Sequence, residues 1–214
     1  MSDRTPTVFA VDDDPSVLKA MKRLLHSAGF DAEVFASAQA FLDSYPRDVV
    51  GCVVLDLAMP GIDGLQLQQR LAEKGGALPI IFLTGHGDVP ACARAMKQGA
   101  AGFLSKPVEE QELLGAVQEA IRRSTIAHHE QREVTDIQQR LATLTPRERE
   151  VLAHLMSGKL NKQIAAALGT VEQTIKVHRA RIMRKMRATT VVTLVRQAVR
   201  AGIASESTES ASVH

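Results

Sequence analysis

The sequence predicts an α/β domain, a five-stranded parallel doubly wound sheet, joined by a helical segment to an all-α four-helix helix-turn-helix domain. Three observations predict it. Over residues 1–121, short runs rich in β-branched side chains alternate with helix-period stretches, as in a parallel sheet covered by helices on both faces. From residue 144 on, capped helical segments follow one another without a strand signal. The charge divides the same way: residues 1–121 carry 10 Lys and Arg against 16 Asp and Glu, and residues 122–214 carry 16 against 8. A half of net −6 is therefore joined to a half of net +8, and the formal +2 of the whole conceals two regions with different partners.

The expected strands are "TVFAV", "AEVF", "VVGCVVL", "PIIFLT" and "AGFLS". "GCVVL" and "IIFL" are almost wholly apolar, as strands buried on both faces are. Pro15 opens the first helix and Gly29 closes it. The last helix of this half starts near Glu109. Residues 122–143 turn polar but contain neither Gly nor Pro, so they read as a helical linker. Val134, Ile137, Leu141 and Leu144 give that linker a short apolar stripe, suited to resting on a neighbouring domain or to a dimer seam.

Residues 144–204 form the second domain. In "TPRE", Thr145 is the N-cap, Pro146 the first helical residue and Glu148 the other half of a capping box. Asn161 opens a short helix that Gly169 closes. Thr170 and Gln173 predict a second capping box, leading into a long helix that ends near Met186. A fourth helix spans about Thr190 to Gly202. The tail, residues 205–214, lacks apolar periodicity and is expected to be disordered.

Composition excludes several classes. There is no Trp and Tyr45 is the only tyrosine, which argues against base stacking on aromatic rings. Cys52 and Cys92 sit in apolar surroundings without metal-ligand spacing, as small core residues in a reducing compartment do. The N-terminus lacks the signature of a signal peptide, and no apolar run approaches the roughly 20 residues that span a bilayer. A cytoplasmic protein without membrane attachment is expected.

Ligands of an open parallel sheet gather outside the carboxyl ends of its strands. There the sequence places Asp12 and Asp13 after the first strand, Asp56 after the third, Thr84 after the fourth and Lys106 after the fifth. Carboxylates about 4 Å apart repel by roughly 4 kcal/mol at an effective dielectric near 20. A cation offsets that cost, and carboxylate oxygens suit magnesium, or manganese, with retained water. Three carboxylates, a hydroxyl and an ammonium make a site for a hard divalent cation and a phosphoryl group.

"VDDDPSV", "LDLAMPGIDG", "LTGHG" and "FLSKP", in that order, resemble the receiver domain of two-component response regulators over about 120 residues. The resemblance implies that Asp56 is the phosphoacceptor. It also implies that Asp12, Asp13, Asp56 and the backbone carbonyl of Ala58 surround the metal. Thr84 and Lys106 would contact phosphoryl oxygens, Phe103 would occupy the aromatic switch position, and the Lys106–Pro107 bond would be cis. Asp14 is not expected as a ligand, and His86 is a candidate for tuning phosphoryl lifetime.

The long helix of the basic half carries six Lys and Arg between Lys176 and Arg187 and no acid. Val171, Ile175, Ile182 and Met186 form its expected apolar side. Gln173, Thr174, Lys176, Val177, Ala180, Arg181 and Arg184 are the candidates to enter a major groove, with Lys176 and Arg181 reaching guanine and Val177 a thymine methyl. Lys162, Arg179, Lys185 and Arg187 are expected on phosphates, and His178 at the border of the apolar side. "TPREREVL", "NKQIA" and "TIKVHRARIMRKM" resemble the LuxR-type DNA-binding domain. With the receiver in front, the chain resembles the NarL/FixJ class, nearest its FixJ-like branch. At Ala180 some relatives carry a basic base-reading residue, so their sequence preference does not transfer.

The resemblance implies a transcription factor with a sensor histidine kinase, double-stranded promoter DNA and RNA polymerase as partners. Activation is the expected outcome, through a homodimer formed on phosphorylation. The apolar face of "TTVVTLVRQAVRAG" is assigned to dimerisation. A competing reading, an enzyme, rests on the Asp-x-Asp of "FAVDDD", which haloacid-dehalogenase-type phosphatases also show. Such an enzyme needs a later acidic pair, for which only Glu109 and Glu110 are available, and it leaves the basic domain unexplained.

Overall fold

The computed structural model describes residues 5–46, 48–73, 78–85 and 89–203. The chain divides into two compact units, Met1–His129 and Glu130–His214, with the division inside the segment 122–143. Residues 205–214 lie outside the described residues.

In the first unit β1 (Thr7–Val11), β2 (Asp31–Phe35), β3 (Gly51–Asp56), β4 (Ile80–Thr84) and β5 (Gly102–Ser105) pair in parallel in the order β2-β1-β3-β4-β5. Every residue of β3 and β4 is buried. The period of two along a strand explains why nearly continuous apolar runs are needed. Val8, Ala10, Cys52, Val54, Ile81 and Leu83 point to one face, where α1 (Pro15–Ser27) contributes Leu18, Met21 and Leu25 and α5 (Glu110–Ala142) contributes Leu113 and Val117. Phe9, Val11, Val53, Leu55 and Phe82 point to the other. There they meet Phe41 of α2 (Ala38–Ser44), Leu67 and Leu71 of α3 (Gly64–Glu73) and Ala95 of α4 (Val89–Lys97).

The first helix begins at Pro15, as expected, and Gly29 follows its end with φ 83°. Segment 122–143 is helical to Ala142, within α5. Its buried Ser124 accepts the Gly51 N–H at 3.1 Å, at the start of β3.

The second unit packs the end of α5 with α6 (Pro146–Met156), α7 (Asn161–Ala167), α8 (Glu172–Met186) and α9 (Val191–Arg200). Ile137 and Leu144 join its core and Leu141 packs against it. The linker's apolar stripe is thus the edge of this domain. The Thr145–Glu148 capping box forms as predicted. The second box does not: α8 starts one residue later than the Thr170 cap requires, with Val171 as N-cap and no side-chain cap bond. Val171 is 66% exposed rather than in the core. At Gly169, φ of 62° gives the tight turn between α7 and α8, a conformation costly for a residue with a Cβ.

Candidate functional site

The sheet order brings the ends of β1, β3, β4 and β5 together at one edge, which is why residues distant in sequence meet. Asp12 follows β1, Asp56 ends β3, Thr84 ends β4, and all three are buried. Asp13 is exposed beside them, and one carboxylate oxygen from each of Asp12, Asp13 and Asp56 lies within 4.8 Å of the others. Lys106, just beyond β5, donates from Nζ to Asp12 Oδ2 at 2.7 Å and to Asp56 Oδ1 at 2.9 Å. Its backbone N–H donates to the Thr84 carbonyl at 2.6 Å, which continues the β4–β5 pairing and aims the side chain inward. The Lys106–Pro107 bond is cis.

The electrostatics follow from burial. Desolvation pushes the Asp56 carboxyl up; Lys106 pulls it back, and the charges of Asp12 and Asp13 push it further up. For Lys106 burial acts to depress the ammonium, but its bonds to Asp12 and Asp56 prevail and hold it above its ordinary value. The three acids supply hard oxygen donors, matching a divalent cation that retains water. Asp14 has a separate task. It is the N-cap of α1, accepting the Ser16 N–H at 2.7 Å and the Ser16 hydroxyl at 2.6 Å, and those bonds hold its carboxyl below the usual range.

Gly64 is a site residue that sequence reasoning missed, although the "PGIDG" run carried the signal. A Cβ at Gly64 would stand 2.7 Å from the Asp56 carbonyl oxygen and 3.0 Å from the Phe82 ring, so only glycine lets α3 begin so close to Asp56. Ala58 lies exposed in the preceding turn. Phe103 is half-buried, its ring centroid 6.3 Å from that of Phe82. Glu109 and Glu110 are exposed and stand apart from the acidic cluster. His86 lies outside the described residues.

In the second unit, α8 turns Ile175, Ile182 and Met186 into the core. Gln173, Lys176, Val177, Ala180, Arg181 and Arg184 are exposed together along the opposite side, as is Arg187 at its end, and Lys162 is exposed on α7. Lys176 pairs loosely with Glu172 at 3.5 Å. Thr174 and His178 are half-buried at the borders of the stripe. Two of the residues expected on phosphates have partners within the protein. Arg179 faces inward and donates to Asn161 Oδ1 at 2.6 Å. Lys185 donates to Glu148 Oε2 at 2.6 Å and to the Thr143 carbonyl at 2.9 Å. Helical period places each at the core stripe, within reach of an acceptor on another helix, half-buried Asn161 for Arg179 and buried Glu148 for Lys185.

Residues 8–118 match the response regulator receiver domain family, and residues 142–198 match the luxR family of bacterial regulatory proteins. The response regulator protein TodT of Pseudomonas putida is 42% identical over 196 residues, covering 92% of this chain and 86% of that protein. The transcriptional regulatory protein FixJ of Bradyrhizobium diazoefficiens is 43% identical, covering 92% of this chain and 96% of its own. Among solved structures, the response regulator StyR superposes with a TM-score of 0.84 at 42% identity, covering 92% of this chain and 99% of that one. Among the described residues no helix is long and apolar enough to cross a membrane.

Proposed function

The chain belongs to the two-component response regulators of the NarL/FixJ class, a receiver domain followed by a LuxR-type DNA-binding domain and a family of transcriptional regulators rather than enzymes, and on that premise we propose that Asp56 is its phosphoacceptor. The observation that carries this is the Lys106 ammonium set between Asp12 and Asp56 at 2.7 and 2.9 Å, with Asp13 within reach. A carboxylate attacks a phosphorus centre only where charge on both is offset.

Asp12, Asp13, Asp56 and the Ala58 carbonyl would hold magnesium or manganese, which when bound would supply positive charge against the phosphoryl oxygens. A carboxylate oxygen of Asp56 attacks the phosphorus of a phosphohistidine on the partner sensor kinase. The new O–P bond forms as the P–N bond breaks and the imidazole leaves. Lys106 exchanges a carboxylate partner for a phosphoryl oxygen. The acyl phosphate carries about two negative charges where one stood. The Thr84 hydroxyl donates to one of its oxygens, and the ring of Phe103 moves into the space Thr84 leaves. A local charge event thereby becomes a changed surface.

That surface favours a homodimer, whose C-terminal domains associate through the exposed valines of α9 and bind a two-fold promoter site in double-stranded DNA. The exposed stripe of α8 enters the major groove, Lys162 and Arg187 hold phosphates, and recruitment of RNA polymerase makes the outcome activation. The protein acts in the cytoplasm.

Intact-mass measurement after incubation with acetyl phosphate and magnesium tests the central step. Wild-type protein gains one phosphoryl group, and a chelator prevents the gain. Asp56→Asn gains none while keeping the wild-type circular dichroism spectrum. Equal labelling of Asp56→Asn and wild type would overturn the assignment.

A further inference from the structure

We infer that Arg179, although it lies in the basic helix α8, is a positioning residue that locks the reading helix to the start of α7, and not a phosphate contact. The inference rests on the reading of α8 as the helix that enters the groove.

Three observations carry it. Ile175, Arg179, Ile182 and Met186 follow at i, i+4, i+7 and i+11, so Arg179 occupies the same helical face as three wholly buried core residues. Opposite runs the exposed series Gln173, Val177, Ala180 and Arg184 at the same spacing. The Arg179 guanidinium meets Asn161 Oδ1 at 2.6 Å, and both residues are half-buried. Asn161 is the first residue of α7, so the bond spans the turn at Gly169 and joins both helices of the motif. A hydrogen bond from a charged donor is shorter and about twice as strong as a neutral one, and it has a direction. It therefore sets the rotation of α8 about its axis, which apolar contacts alone restrain weakly. That rotation decides whether Val177, Ala180 and Arg181 face base edges.

The neighbouring contacts serve the same end. Arg147 of α6 donates to the Leu168 carbonyl at 2.6 Å, which holds the end of α7. Lys185 ties the last turn of α8 to Glu148. Two of the six Lys and Arg of α8 and its cap are thus used to hold the motif together, which leaves Lys176, Arg181, Arg184 and Arg187 for DNA.

The experiment uses the full-length chain and a duplex that wild-type protein selects from random-sequence DNA. Affinity for this duplex and for an unrelated one is measured across a salt series for wild type, Arg179→Ala, Asn161→Ala, the double variant, Asn161→Asp and Lys162→Ala. A positioning role predicts that Arg179→Ala and Asn161→Ala each weaken binding to the selected duplex about tenfold, the scale of one hydrogen bond to a charged group. The double variant is then no weaker than either single one. Binding to unrelated DNA and the salt slope stay as in wild type, whereas Lys162→Ala, at an exposed residue read as a phosphate contact, lowers the slope by about one. Asn161→Asp keeps a partner for Arg179 and retains selectivity. A fold defect alone would lower melting temperature without this split between the two duplexes. The inference is overturned if Arg179→Ala weakens both duplexes alike and lowers the slope by about one while Asn161→Ala binds as wild type. Wild-type protein that selects no DNA overturns the DNA-binding reading itself, a separate and recognisable failure.

Discussion

Lys106 and Asp56 are hydrogen-bonded at 2.9 Å although 50 residues separate them, because β3 and β5 flank β4 and end at the same edge of the sheet. The ammonium offsets a carboxylate whose own burial disfavours its charge.

Lys106→Ala removes that offset. Phosphorylation by acetyl phosphate should slow about 10²-fold, the usual scale for losing one charge stabiliser of a transition state. In chelator the variant should lose about 1–2 kcal/mol of stability, a modest value because the Lys106 side chain is 26% exposed and partly screened. Magnesium should restore part of it. Urea titrations and an intact-mass time course measure both, and a wild-type labelling rate would refute the role.

Gly64→Ala should distort the turn above Asp56. The new Cβ would approach the Asp56 carbonyl oxygen to 2.7 Å, so the backbone must shift. A loss of about 1–3 kcal/mol is expected from overpacking, together with slower phosphorylation. Unchanged stability in denaturant would show that the turn yields freely.

Glu148 makes the second unit sensitive to acid. Burial acts to raise this carboxyl, but Lys185 and the Thr145 N–H outweigh it and hold it below its ordinary value. A depressed carboxyl contributes stability that is fully present above the unfolded-state pKa and is lost as pH falls through the lower folded-state value. Hydrogen exchange of α6 and α8 amides should therefore accelerate as pH is lowered through that window, after correction for intrinsic rates. Glu148→Gln should flatten the dependence and cost about 1–3 kcal/mol by leaving Lys185 without its counter-charge. An identical pH profile in the variant would exclude Glu148 as the source.

Val192 and Val199 are 69% and 55% exposed on α9. Val192→Glu with Val199→Glu should leave stability within about 0.5 kcal/mol, as surface changes do. The same pair should prevent dimerisation of the phosphorylated protein in sedimentation analysis. Dimers of unaltered affinity would place the dimer surface elsewhere.

Local chemistry is legible in a linear chain, and most of what is legible here is local. Apolar runs with turn residues at their ends marked all five strands. Thr145, Pro146 and Glu148 marked the start of α6, because a cap needs only residues three apart. The strand-end rule gathers Asp12, Asp13, Asp56, Thr84 and Lys106 from the sequence alone, since parallel strands place their carboxyl ends on one side whatever their order. What tertiary packing decided is where each side chain spends its charge. Pattern alone offered Arg179 and Lys185 to phosphates, whereas the fold gives each a partner on another helix, half-buried Asn161 or buried Glu148. Val171 read as core until α8 began one residue later and left it in solvent. The need for glycine at position 64 arises only when α3 closes on the Asp56 backbone. Residue type and spacing thus determined the elements and the chemistry available to them, while the partners of long charged side chains depended on distances between elements, which no spacing in sequence encodes.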